Sequence, residues 1–173
     1  MNPVKVGVQL KAVLEKWESS LDNYSDSDLL KKPAADSWSI GQLYSHLVYG
    51  TIRYHLKQIE LCLSKDDNRD QKKTGAGAFC FLINGFPPVK IKVPPSKEYT
   101  PAQPENKQEI KNGFVKLKQI LENYSPGIGK KESGKVKHPA LGFLSAAEWY
   151  QLIEMHFRHH LRQKKKLDQI IKR

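Results

Sequence analysis

Residues 149 to 163 read Trp-Tyr-Gln-Leu-Ile-Glu-Met-His-Phe-Arg-His-His-Leu-Arg-Gln, without a Gly or Pro to interrupt them. Trp149, Leu152 or Ile153, His156, His160, Gln163 and Leu167 recur three or four apart, which is the spacing of one helix face. Just upstream, Ser145-Ala-Ala-Glu148 has the form of a capping box, so the helix is predicted to start there and to run to about Ile171. One helical turn sets the Cβ atoms of His156 and His160 ~5–6 Å apart. Two imidazoles can close that span onto one ion at ~2.0–2.1 Å per Zn–N bond. A third ligand has to come from another element.

Working outward, three further segments carry helical periodicity. Val4, Val6/Val8, Leu10, Val13/Leu14, Trp17 and Leu21 predict a first helix from Val4 to Leu21. A polar stretch, a short Leu29-Leu30-Lys31-Lys32 turn and Pro33 end it. Ser39-Ile-Gly-Gln42 is another capping box, opening a second helix from about Ile40 to Leu63. Ile110, Phe114, Leu117, Ile120 and Leu121 predict a third from Glu105 to Tyr124, with Gly113 its weak point. Between the second and third helices, residues 65 to 105 hold a charged run, then Gly75 and Gly77, an apolar stretch from Phe79 to Phe86 and six prolines. Such a crossover is not expected to be regular helix. Its Phe79, Phe81, Leu82, Ile83 and Phe86 need an apolar partner and are expected to fold back on the body of the protein, as a wall over the ligand end or a flap over a seam. Val89 to Val93 alternates but offers an edge pairing at most, and no other strand alternation stands out. The expected fold is all-α: a four-helix bundle with a long crossover, forming one domain over residues 1–173.

The bulk composition narrows the function classes. With 39% hydrophobic and 27% charged residues the chain reads as globular rather than disordered. No signal-peptide block or run of eighteen apolar residues occurs, which predicts a cytoplasmic protein with no membrane partner. Cys62 and Cys80 are too few for a disulfide framework and read as helix core and loop core, reduced. The formal charge of +11 raises the question of nucleic acid. The cations are nearly all Lys, however, with Arg only at 53, 69, 158, 162 and 173, and they are scattered. No specific nucleic-acid partner is therefore expected. A Gly-rich phosphate loop, a G-x-S-x-G elbow and a paired-carboxylate pattern are all missing from the sequence.

With the helices in place, the ordered set Trp38-Ser39, His46-Leu47, His138-Pro139-x-x-Gly142, Glu148-Trp149, His156-x-x-His159-His160 and His160-Leu161-x-Gln163 resembles the DinB/YfiT-like superfamily over nearly the whole chain. The His138-Pro139 element and the proline-rich crossover look like those of a separate subfamily. The resemblance implies a near up-and-down bundle whose long connection joins helices two and three. It also implies a divalent ion near one end, nickel or zinc, held by His46, His156 and His160. Relatives include thiol transferases that use bacillithiol and a mycothiol-dependent maleylpyruvate isomerase, so a low-molecular-weight thiol is a second implied cofactor.

Three neutral imidazoles would leave positions open on the ion, and open positions favour catalysis. The expected function is a divalent-metal-dependent thiol transferase or hydrolase acting on a small electrophilic substrate. The alternative is a non-catalytic binding or stress-response bundle whose histidines bond one another, water or backbone. Among the remaining histidines, His55 lies nine positions beyond His46 and, at ~100° per residue, is expected on the opposite, outer face. A His156/His159 pair is geometrically possible, but the stripe favours His156/His160 and leaves His159 flanking. His138, fixed in extended geometry by Pro139, is expected to make a structural hydrogen bond. Tyr49 and Arg53 share a face with His46, and Arg53 could hold a substrate carboxylate. Gln163 could orient a ligand histidine, while Trp149 and Trp38 read as core or rim aromatics. Faces carrying Trp17 and His55 suggest a homodimer.

Overall fold

The computed structural model describes residues 2–87, 100–124, 128–129 and 134–171. Among the described residues seven α-helices follow in order: α1 (Pro3–Leu21), α2 (Asp26–Leu30), α3 (Ile40–Gly50), α4 (Leu56–Ser64), α5 (Gly75–Leu82), α6 (Lys107–Tyr124) and α7 (Ala146–Ile171). A π turn, Thr51–His55, joins α3 to α4, so the second predicted helix is one rod with a single irregular turn. Both capping boxes form as read. Ser39 and Gln42 exchange backbone-to-side-chain bonds of 3.0 and 3.1 Å. Ser145 N donates to Glu148 at 2.9 Å and Glu148 N to Ser145 Oγ at 3.3 Å.

The chain is mostly helical, and α7 is its spine, packing against α1, α3 and α4 while α3 packs on α6. Trp17 lies at the centre of the core: its Nε1 donates to Phe157 O at 3.0 Å, and Tyr44 Oη donates to Trp17 O at 2.9 Å. Gly113, the expected weak point of α6, sits where α6 crosses α3; a Cβ there would lie 2.8 Å from Val48 Cγ1, so the glycine permits the close approach. Cys62 is buried as helix core.

Four expectations are corrected. The apolar crossover contains a two-turn helix, α5, capped by Thr74 Oγ1 accepting from Gly77 N at 3.0 Å, and buried Cys80 lies on it rather than in a loop. A strand pair also exists: β1 (Lys135–His138) and β2 (Gly142–Ser145) form an antiparallel hairpin. His138-Pro139-Ala140-Leu141 is its turn, a connection whose short strands the sequence pattern did not announce. The alternating segment 89–93 lies outside the described residues. Trp17 is fully buried and His55 nearly so, so neither side chain is exposed as the dimer reading supposed. Finally, Phe79, Leu82 and Ile83 are 51%, 82% and 46% exposed, so of the five crossover residues only Phe81 and Phe86 pack against the core.

Gly142 holds the hairpin to the crossover. Its φ of +81° is open to glycine, and a Cβ would meet Thr74 N at 2.4 Å, where the Lys73 bridge runs alongside. Replacing Gly142 by Ala is expected to cost ~2 kcal/mol or more, lowering the melting temperature by about 4–8 °C in a chain of this size. Thermal denaturation followed by circular dichroism checks this; an unchanged midpoint would mean that the hairpin contributes nothing to stability.

Candidate metal centre

His46 comes from the middle of α3, and His156 and His160 from successive turns of α7. The Nε2 atoms meet: His46 to His156 at 3.0 Å and His160 to His156 at 3.1 Å. All three donors fall within 4.8 Å of one another. The His156/His160 pair chosen from the stripe is therefore the one that joins His46.

Protons alone do not satisfy this arrangement. A neutral imidazole nitrogen carries either one hydrogen or one lone pair, yet His156 Nε2 faces two nitrogens at bonding distance. A cation at the meeting point accepts all three lone pairs, and separations of 3.0 and 3.1 Å are shorter than two Zn–N bonds of ~2.0–2.1 Å laid end to end. The donor set thus fits a divalent ion. The rings are also in the required protonation state. Burial drives His46 and His160 down to about 4 and holds His156 well below the ordinary imidazole value, so all three are neutral at physiological pH.

Surrounding groups fix the orientation. Gln163, one turn beyond His160, accepts from His160 Nδ1 at 2.9 Å, which leaves the Nε2 lone pair aimed at the centre as the stripe suggested. Trp38 lies with its ring centroid 5.0 Å from that of His46, a rim contact. His159 stands beside the cluster, 5.2 Å from the His160 ring and 5.2 Å from Phe86. It flanks the donors without joining them.

A family model described as the DinB superfamily matches residues 9–163. The chain belongs to the DinB superfamily. No curated protein matches it. Within this DinB chain, the His138-Pro139-x-x-Gly142 element has a structural explanation: His138 Nδ1 accepts from Ala140 N and Leu141 N, both at 3.1 Å, and closes the hairpin turn. Glu148 of the Glu-Trp pair combines its capping role with an ion pair to Lys73.

The remaining expected residues divide. The guanidinium of exposed Arg53 lies 5.7 Å above the Tyr49 ring, and Tyr49 Oη donates to Glu109 O of α6 at 2.9 Å; among the described residues neither contact involves a histidine. Trp149 is fully buried, with its ring against those of Tyr54, His55 and His138. His55 is the correction of most consequence. It is buried rather than on the outer face, with its ring 5.3 Å from that of His156. In unbroken α-helix nine residues turn the chain ~180°, but the π turn takes up roughly one extra residue, so later positions lag by ~100° and His55 swings inward. Helix-weak Gly50 and β-branched Thr51 and Ile52 are the only forewarning in the sequence.

Proposed function

We propose that this DinB chain is a divalent-metal-dependent enzyme, a cytoplasmic thiol transferase or hydrolase acting on a small electrophile, with His46, His156 and His160 holding nickel or zinc. The convergence of three neutral Nε2 atoms carries this reading. The long segments α1, α3 to α4, α6 and α7 are read as the four helices of a bundle with the histidines between the second and the fourth. A bound ion would supply Lewis acidity, lowering the pKa of water towards ~7 or holding a thiol as thiolate. The chain's own part is to present bare lone pairs from neutral rings, to fix the His160 ring through Gln163, and to hold apolar surfaces against His46 at Trp38 and against the flanking His159 at Phe86.

The test is elemental analysis of protein purified without a polyhistidine tag, followed by turnover of an activated aryl halide and an activated ester with and without added low-molecular-weight thiol. A stoichiometric divalent ion and metal-dependent turnover are expected. Metal-free protein that takes up neither nickel nor zinc would overturn the reading.

Phe81 and Phe86 separate the wall from the flap. Phe86 touches His159, next to the donors. Phe81 instead borders a surface groove of about 810 Å³ with Asn84, Glu148 and Gln151, a groove that none of the histidines lines. Phe86→Ala is expected to relax substrate selectivity as well as lower the melting temperature, because its ring packs both on the core and against His159. Phe81→Ala is expected to lower the melting temperature and leave selectivity unchanged, because its ring packs on the core.

A further inference from the structure

Among the described residues, four buried side-chain polar atoms around the metal ligands lack a partner: Thr51 Oγ1, His55 Nδ1, Trp149 Nε1 and His156 Nδ1. They come from two places only, the π turn and the facing side of α7. Trp149 and His156 are seven residues apart and share one face of α7. Thr51 and His55 open and close the π turn. The His55 ring stands 5.3 Å from that of His156 and 6.0 Å from that of Trp149.

The chemistry of this group follows from the front of His156. With an ion held by its Nε2 lone pair, the proton of neutral His156 would sit on Nδ1, the atom that is buried without a partner. A buried N–H without an acceptor costs ~1–3 kcal/mol, and a ligating histidine ordinarily gives this hydrogen bond to an oxygen or nitrogen behind it. Trp149 Nε1 is a donor and cannot serve. Among these unpartnered atoms the acceptors are Thr51 Oγ1 and His55 Nδ1, and the His55 ring stands 5.3 Å from that of His156.

Resting on the metal-site reading above, we propose that His55 is a positioning residue of the metal centre: the π turn carries it inward so that its imidazole accepts the hydrogen bond of His156 Nδ1–H, directly on a turn of the His55 ring or through one water, and so aims His156 Nε2 at the ion. This accounts for the irregular turn. A regular helix would place His55 on the far side of the rod and leave the N–H of His156 without a partner, and π turns recur at functional sites.

Two variants at this position test the idea. His55→Phe keeps a ring and removes the acceptor, whereas His55→Gln keeps an acceptor. Affinity for zinc is measured by competition with a chromophoric chelator, and the ligand field by the visible spectrum of the cobalt-substituted protein; the melting temperature of each metal-free form is recorded alongside. His55→Phe is expected to bind zinc about 10–100-fold more weakly and to shift the cobalt bands, with a metal-free melting temperature no lower than wild type. His55→Gln should stay within about threefold of wild type, a rescue that a purely structural role would not produce. If His55→Phe does not fold, His55→Leu is measured in its place. Wild-type affinity and an unshifted spectrum in the variant lacking the acceptor would overturn the proposal while leaving the metal site standing. Wild-type protein that binds neither zinc nor cobalt would instead overturn the metal-site reading and the proposal with it.

Discussion

Replacing His156 by Ala is expected to weaken binding of a divalent ion by about a hundredfold or more while the helical fold persists. His156 is the hub of the cluster, since its Nε2 contacts those of both His46 and His160. Without it, two nitrogens from different helices remain, with neither closure nor a shared face. The fold should survive because the core rests on other groups: Trp17, Tyr44, Phe114 and Phe157 are fully buried, and the Trp17 indole donates to the α7 backbone. Equilibrium dialysis against zinc reads the first quantity and far-ultraviolet circular dichroism the second. Loss of helical signal in the metal-free variant would make His156 structural and remove the main support for an open catalytic site.

The second large effect is acid sensitivity of the metal-free protein. Burial depresses His46 and His160 to about 4 and His55 to about 3, against 6.5 for a solvated imidazole. The sign follows from proton counts. Below pH 6.5 the unfolded chain takes up protons that these rings refuse in the native state, so the unfolded state gains. Their contribution is fully present above pH 6.5 and is lost progressively as the pH falls towards 4 and then 3. Each of these rings is worth at most about 2 kcal/mol between about pH 7.5 and about pH 5, a window above the titration of most carboxylates. The group together should remove several kcal/mol. Urea denaturation of chelator-treated protein at the two pH values measures this, and equal midpoints would show that the rings are solvated. Zinc at saturating concentration should raise stability at the upper pH by its binding free energy.

The four long helices were legible because each carries a strong 3.6-residue apolar period with a start signal or a breaker beside it. Ser39-Gln42 and Ser145-Glu148 cap as their spacing requires. The same period marked His156 and His160 as a pair, since residues four apart on a helix meet whatever surrounds them. His46 could be attached to that pair only through resemblance to the family, because nothing local says which two helices face each other. Gln163, one turn from His160, was again a local inference.

What the sequence by itself determined is the set of features decided within about one turn of chain: helix periods, caps, the His156/His160 pair and the Gln163 contact. Only the tertiary structure decided the rest, and the reason is that each missed feature depends on distant partners. The strands at 135–138 and 142–145 are four residues each, too short to show a period, and exist through mutual pairing and the contact of Gly142 with Thr74. Helix α5 forms where glycines and prolines argued against it, with Thr74 as its cap and Gly77 fitted against Leu141 O. His55 turned inward because a π turn re-phased the helix, and that irregularity is set by packing of α3 and α4 on α7 rather than by the intrinsic preference of residues 51–55.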